Sequence, residues 1–340
     1  MKTSARRTLV VLAAGALLVP AAGRAARAAE TTVKLGLVGQ VSDAGFLIGE
    51  ARGYFRKQGL ALETTRFDSA AKMVPLLASG QLDVGGGSSS AGVVNAILGG
   101  SRIQIVADKG SFGSDFSYGT FLIRPDLKGR IRDFKDLKGT RVAVAAPGTA
   151  PHLMLARALS KGGLKLSDVQ VSFMGHPDMV VALKTGAIDV GVQFEPQGTR
   201  AEQEGVAVAW KEGHEVWPKL QVAVVLFGTD FTNETVAQRL VNAYVCGLRD
   251  YNAVMTKGSQ SEKDELFGLL ARESNTPLDL LQKARPVNLD PEGKLDVASL
   301  QESADYLIEL GLVKRKFNVS DAVNTKYVDT AREFVRSGSC

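Results

Sequence analysis

The stretch 77–90, LASGQLDVGGGSSS, decides the fold of this chain. It reads as the last turns of a helix, a stop at Gly80, a short apolar strand over 82–86 and a Ser-rich turn opening a new helix at about Ser89. The pattern returns 106 residues later at 183–195, LKTGAIDVGVQFE, with the same helix end, glycine, apolar residue, Asp-Val-Gly and exit turn. At this offset Phe67 maps onto Phe173, Met73 onto Met179, Val74 onto Val180 and Leu77 onto Leu183. Further back, 33–39 parallels 141–147 and 59–62 parallels 163–166, each with a slip of two residues. Two copies are too few for a solenoid, which needs three or more repeats to bury its core, so the pattern predicts two similar α/β lobes. It also sorts residues. Gly80 with Gly186 and Asp83 with Asp189 recur and are architecture, whereas Ser88-Ser89-Ser90 against Phe194-Glu195-Pro196 is where ligand chemistry can differ.

The chain begins with a basic head (Lys2, Arg6, Arg7), an apolar run over 9–19 and a small-residue stretch offering Ala26-Arg27-Ala28 as a cleavage site. This is the pattern of an export signal at 1–28, too short in its apolar part to span a membrane. The Arg6-Arg7 pair leaves both the general and the twin-arginine export routes open. The 340 residues carry 41 basic and 36 acidic side chains, but the leader holds five of the basic ones and no acidic one, so the mature chain has 36 of each. A near-zero net charge with no basic block excludes a phosphate-tracking nucleic-acid binder. Of the two cysteines, Cys246 lies in a predicted helix and Cys340 ends the chain; the spacing predicts a buried inert thiol and a loose terminal one rather than a disulfide or metal pair.

Strands alternating with single helices predict a mainly parallel sheet covered on both faces in each lobe. The first lobe contains strands over 33–38, 61–67, 82–86 and 103–108, with helices over 44–58, 70–79 and 89–98; Asp43 is the expected N-cap of the first helix and Gly59 its stop. The chain then divides as 29–122 and 220–340 for lobe one and 123–219 for lobe two. The apolar segments 118–123 and 220–227 are the two crossings, a hinge, and the remainder after 234 is helical. In open parallel sheets ligands bind beyond the carboxyl ends of the strands, where helix N-termini also point. The candidates on those edges are Gln40, Asp43 and Phe46 after the first strand, Ser88, Ser89 and Ser90 after the third, and Phe112 and Phe116 in the 109–117 loop. Lobe two adds Thr149, His152, His176, Phe194 and Glu195. Ser89 and Thr149 are equally suited to capping their own helices, and the two histidines lack the third spaced ligand of a metal site. No Gly-x-Ser-x-Gly elbow, dinucleotide glycine pattern or zinc helix is present, so neither a catalytic group, a cofactor nor a metal is expected.

Several segments carry a family resemblance: GYFRKQGLALE (53–63), LASGQLDVGGG (77–87), DFKDLKGTRVAV (133–144), FEPQG (194–198) and SLQESADYLIELGLV (299–313). They resemble the nitrate/sulfonate/taurine-type substrate-binding proteins of ABC importers, with thiamine-precursor-binding relatives sharing the pattern. The resemblance spans essentially the whole mature chain. It implies an α/β, two-lobed periplasmic-binding-protein type II fold with a helical C-terminal extension, acting as a monomer that closes on a small molecule and delivers it to an inner-membrane permease. The expected ligand is a small organic anion, held by helix N-termini and hydroxyls. The alternatives are a pyrimidine-like heteroaromatic held by Asp43, Asp115 and Glu195, or a lyase on the same fold.

Overall fold

The computed structural model describes residues 30–340, so the export signal expected at 1–28 lies outside the described residues. Ten strands form two five-stranded sheets: β1 (Thr31–Leu37), β2 (Leu60–Arg66), β3 (Val84–Gly87), β4 (Gln104–Ser111), β5 (Gly119–Ile123), β6 (Arg141–Val144), β7 (Gln170–Phe173), β8 (Val190–Phe194), β9 (Val208–Glu212) and β10 (Gln221–Phe227). Their orders are β2-β1-β3-β10-β4 and β7-β6-β8-β5-β9. In the first sheet β1 pairs parallel with β2 and β3, and β10 lies antiparallel between β3 and β4. In the second, β6 pairs parallel with β7 and β8, and β5 lies antiparallel between β8 and β9. The two sheets share one topology, as the 106-residue repeat predicts.

The recurring residues are structural in both copies. Gly80 and Gly186 each adopt a left-handed backbone, φ 72° and 70°, which ends the preceding helix at a conformation that a side chain disfavours. Asp83 accepts the Lys34 N–H through Oδ2 at 2.8 Å, and Asp189 accepts the Arg141 N–H in the same way at 2.9 Å. Each aspartate thus pins the start of its lobe's third strand to the start of its first, at the sheet edge remote from the ligand edge.

Three expectations are corrected. The segments 118–123 and 220–227 are not free crossings: each is largely a strand, β5 in the second sheet and β10 in the first. The connections proper therefore lie just before these strands, at 112–118 and 213–220. The first helix is broken at Gly53, whose φ of 72° separates Ala44–Ala51 from Tyr54–Lys57. Finally, Cys246 and Cys340 are joined in a disulfide across 94 residues. The bond ties the last residue to the 24-residue helix Glu234–Lys257, the main packing partner of the Ala44–Ala51 helix. Spacing alone carried no sign of this, because the two residues meet only once the C-terminal helix Lys326–Arg336 lies along Glu234–Lys257.

Cross-linking so long a loop removes much of the unfolded chain's freedom, so Cys340→Ser is expected to lower unfolding free energy by about 2–5 kcal/mol. Denaturant titration of the wild type and variant checks this, and thiol titration of the unreduced wild type should find no free thiol.

Candidate functional site

The carboxyl ends of the two sheets face each other across a narrow cleft, and a cavity of about 30 Å³ lies between them. Lobe one contributes Val38, Gln40, Ser69, Ala70, Gly86, Gly87 and Ser88; lobe two contributes Ala145, Thr149, Pro151, His176 and Phe194; Lys109, Val222 and Ala223 close it. That volume has room for only one or two water-sized groups. The lobes already touch: Ala91 N–H donates to the Gly148 carbonyl at 2.9 Å, and Val41 N–H to the Glu195 carbonyl at 3.2 Å. This is a closed conformation.

Lys109 sits at the base of the cavity with its side chain 1% exposed, and the sequence reading did not select it. Its ammonium lies 2.5 Å from Asp43 Oδ1 and donates to Ser42 Oγ at 3.0 Å. The ammonium thus makes one hydrogen bond, to Ser42, and an ion pair with Asp43. The other Asp43 oxygen accepts the backbone N–H groups of Gly39 at 2.8 Å and Gln40 at 3.2 Å. Asp43 is thus a neutralised structural carboxylate that shapes the Gln40 turn. The lysine reaches this position by crossing β3 at Gly86, where a Cβ would come within 2.3 Å of Lys109 Cε. The only signal in the sequence was a charged residue directly after a buried apolar strand.

The two cleft histidines hold opposite tautomers. Gln193 Nε2 donates to the His176 carbonyl at 2.7 Å, so Gln193 Oε1, 2.7 Å from His176 Nδ1, must accept, and the neutral ring presents Nε2 as an acceptor. His152 Nδ1 instead accepts the Gly148 N–H at 2.9 Å, which places its hydrogen on Nε2 and braces the Gly148 turn rather than the cavity. Burial holds both below the ordinary histidine range.

The remaining candidates divide clearly. Gln40, Ser88, Thr149, His176 and Phe194 line the cavity. Ser90, not Ser89, is the N-cap of Ala91–Leu98, accepting the Val93 N–H, and Ser89 does not line the cavity. Thr149 occupies the N-cap position of Ala150–Lys161 but donates its hydroxyl to the Ala146 carbonyl at 2.8 Å. Phe46 packs in the lobe-one core on Tyr244, with ring centroids 4.3 Å apart. Phe112 is buried against Tyr118 and Phe194 at the hinge, and Phe116 lies over Gly113 at the surface.

Glu195 is fully buried and bound away from the cavity. One oxygen accepts the Thr199 N–H at 3.0 Å, and the other meets Arg285 Nη1 at 2.8 Å. Arg285, from the lobe-one extension, also pairs with Glu202 at 2.7 Å and Glu212 at 2.8 Å, all three carboxylates belonging to lobe two. Burial pushes the Glu195 carboxyl above its ordinary range, with Arg285 and the Thr199 N–H opposing. Arg285 is a clasp between lobes that the sequence did not announce, since its partners are 73–90 residues away.

Two similar mixed sheets with helices on both faces, joined by two short connections and closing on a cavity at their carboxyl edges, define a periplasmic-binding-protein type II fold. The chain belongs to the NMT1-like family, whose model matches residues 26–249. It is 29% identical over 181 residues to the taurine-binding periplasmic protein of Escherichia coli (strain K12), covering 52% of this chain and 54% of that protein, so the likeness spans about half of the relative's length. Its fold is similar to that of the alkanesulfonate-binding protein SsuA from Xanthomonas axonopodis pv. citri bound to MOPS, with TM-score 0.71 and 18% identity over 88% of this chain and 100% of that one. It is similar also to the desulfurization enzyme DSZB, with TM-score 0.65 and 14% identity over 90% of this chain and 100% of that one.

Arg285→Ala would leave Glu195 buried without its cation, a loss of about 3–5 kcal/mol for the closed arrangement. Solution scattering should therefore give a larger radius of gyration for this variant than for the wild type. The histidines predict a pH dependence as well. Their folded pKa values are depressed, so the unfolded chain binds more protons below its pKa of about 6.5. The stability is present above that pH and lost as pH falls below it. Burial pushes the Asp108 carboxyl up to about 7, which acts in the opposite sense over the same range in any variant that keeps it, so the histidines are read by difference: on going from pH 7.5 to 5.5 the melting temperature of the wild type should fall relative to that of a His152→Asn/His176→Asn double variant.

Proposed function

We propose that this chain is the extracytoplasmic solute-binding component of an ABC importer and that it captures a small organic anion of the sulfonate or carboxylate kind. The observation that carries the reading is the cavity between the lobes. The Lys109 ammonium lines it at the base, and the hydroxyls of Ser69 and Ser88 and the Gln40 amide surround it. These donors all belong to lobe one, and lobe two closes over them with Thr149, Pro151, His176 and Phe194, so closure shields a bound oxyanion from water. The acceptor at His176 Nε2 suits a ligand carrying an N–H or O–H close to its anionic group. The taurine-binding relative and the sulfonate-binding structural neighbour support the same ligand class. A permease partner and a periplasmic site of action follow from the family, and the Cys246–Cys340 disulfide suits an oxidising compartment.

Two other readings are weaker for physical reasons. A cationic or pyrimidine ligand would need a free carboxylate in the cavity, but Asp43 is spent on Lys109, Glu195 on Arg285, and Asp115 is exposed and does not line the cavity. An enzyme on this fold would need an activated nucleophile. The Ser42–Lys109 contact does not provide one, because the lysine donates to Ser42 and is already ion-paired with Asp43.

A thermal-shift panel of taurine, alkanesulfonates, short carboxylates, nitrate and a thiamine pyrimidine tests the reading. A ligand at one hundred times its dissociation constant adds about 2.7 kcal/mol of stability. At least one organic anion is expected to raise the melting temperature by several degrees, and Ser88→Asp should abolish the response by placing a like charge in the cavity. A response confined to the pyrimidine would overturn the anion assignment.

A further inference from the structure

The cleft cavity is not the largest internal space at the seam between the lobes. A pocket of about 240 Å³ lies beside it, walled by Leu47 of the Ala44–Ala51 helix, Tyr251 and Met255 of Glu234–Lys257, and Phe267 and Leu270 of Gln260–Ser274, with Pro196 of lobe two at its edge. Its walls are mainly carbon, and three of them, Leu47, Met255 and Phe267, are only partly buried despite facing inward from packed helices. A cavity of 150 Å³ takes a benzene ring, so this one accommodates an apolar body of that size or somewhat larger. Gln40 lines both spaces, the small polar one and the large apolar one. It is the one residue common to the two linings, and the next residue, Val41, makes the 3.2 Å backbone contact to Glu195 of lobe two.

We infer that the pocket walled by Leu47, Tyr251, Met255 and Phe267 is a second subsite, which takes the apolar body of the same ligand whose anionic head occupies the cleft, with Gln40 as the movable partition between them. The inference rests on the proposed function and narrows it: the transported molecules are amphiphilic anions carrying an alkyl or aryl group of about six carbons, rather than bare inorganic oxyanions. The cleft cavity alone is too small for such a body. The pocket alone offers no free cation, because Arg285 at its rim is held by three carboxylates.

Isothermal titration of the disulfide-intact protein with methane-, propane- and hexanesulfonate tests this. Affinity should tighten roughly fourfold per added methylene. Leu47→Trp and, separately, Met255→Trp fill the pocket from partly buried positions; each should keep the wild-type affinity for methanesulfonate and lose the gain with chain length. In carbon-13 methyl-methionine spectra, the Met255 signal, assigned with Met255→Leu, should shift with hexanesulfonate and not with methanesulfonate. Equal affinities along the series, or a gain that survives both tryptophan variants, would overturn the subsite while leaving the cleft reading intact. If neither these sulfonates nor acetate, butyrate and heptanoate bind, the cleft reading fails, and 1-hexanol alone then decides the pocket: a shifted Met255 signal retains it as an apolar site and an unmoved one removes it.

Discussion

The buried pair of Lys109 and Asp43 is the contact on which the site depends. Neither charge is tolerable alone in this interior, since each would lose several kcal/mol of hydration without a partner. Together they set the geometry around them. Lys109 crosses β3 where Gly86 leaves it room, and Asp43 gathers the Gly39 and Gln40 N–H groups into the turn after β1. That turn places Gln40 at the border of both internal spaces and Val41 against lobe two.

The exchange of strands between lobes explains how the molecule can be both duplicated and jointed. β5 follows lobe one's β4 yet completes lobe two's sheet, and β10 follows lobe two's β9 yet completes lobe one's. Each lobe is therefore anchored on the other through a central strand, and the short connections at 112–118 and 213–220 are the only covalent links. Motion is then resisted mainly by contacts across the seam. Among these is the Arg285 clasp on Glu195, Glu202 and Glu212. One guanidinium facing three carboxylates is an unbalanced cluster, so it holds the closed state without locking it.

The duplication was legible because it is written in local pattern. Helix ends, glycine stops and apolar strands recur at a fixed spacing, and the roles of Asp83, Asp189, Gly80 and Gly186 follow from their recurrence alone. The edge on which ligands bind was also legible, so Gln40, Ser88, Thr149, His176 and Phe194 were found at the cavity. What misled was residue type read without its neighbours. Phe46 was an aromatic near the cleft in sequence but points into the core, and Ser89 looked like a cap while Ser90 performs that role. Asp43 and Glu195 looked like free carboxylates until their cations were seen.

By itself, then, the sequence determined the two-lobed α/β architecture and the duplicated layout of its two sheets, because each of these follows from periodicity and composition within a few tens of residues. Only the tertiary structure decided the Lys109–Asp43 pair, the Arg285 clasp, the Cys246–Cys340 bond and the two adjoining cavities. Each of those joins residues 66 or more positions apart in the chain. Such pairings are chosen by how whole helices and sheets pack, and no local pattern encodes which distant charge, thiol or apolar wall will be the one that arrives.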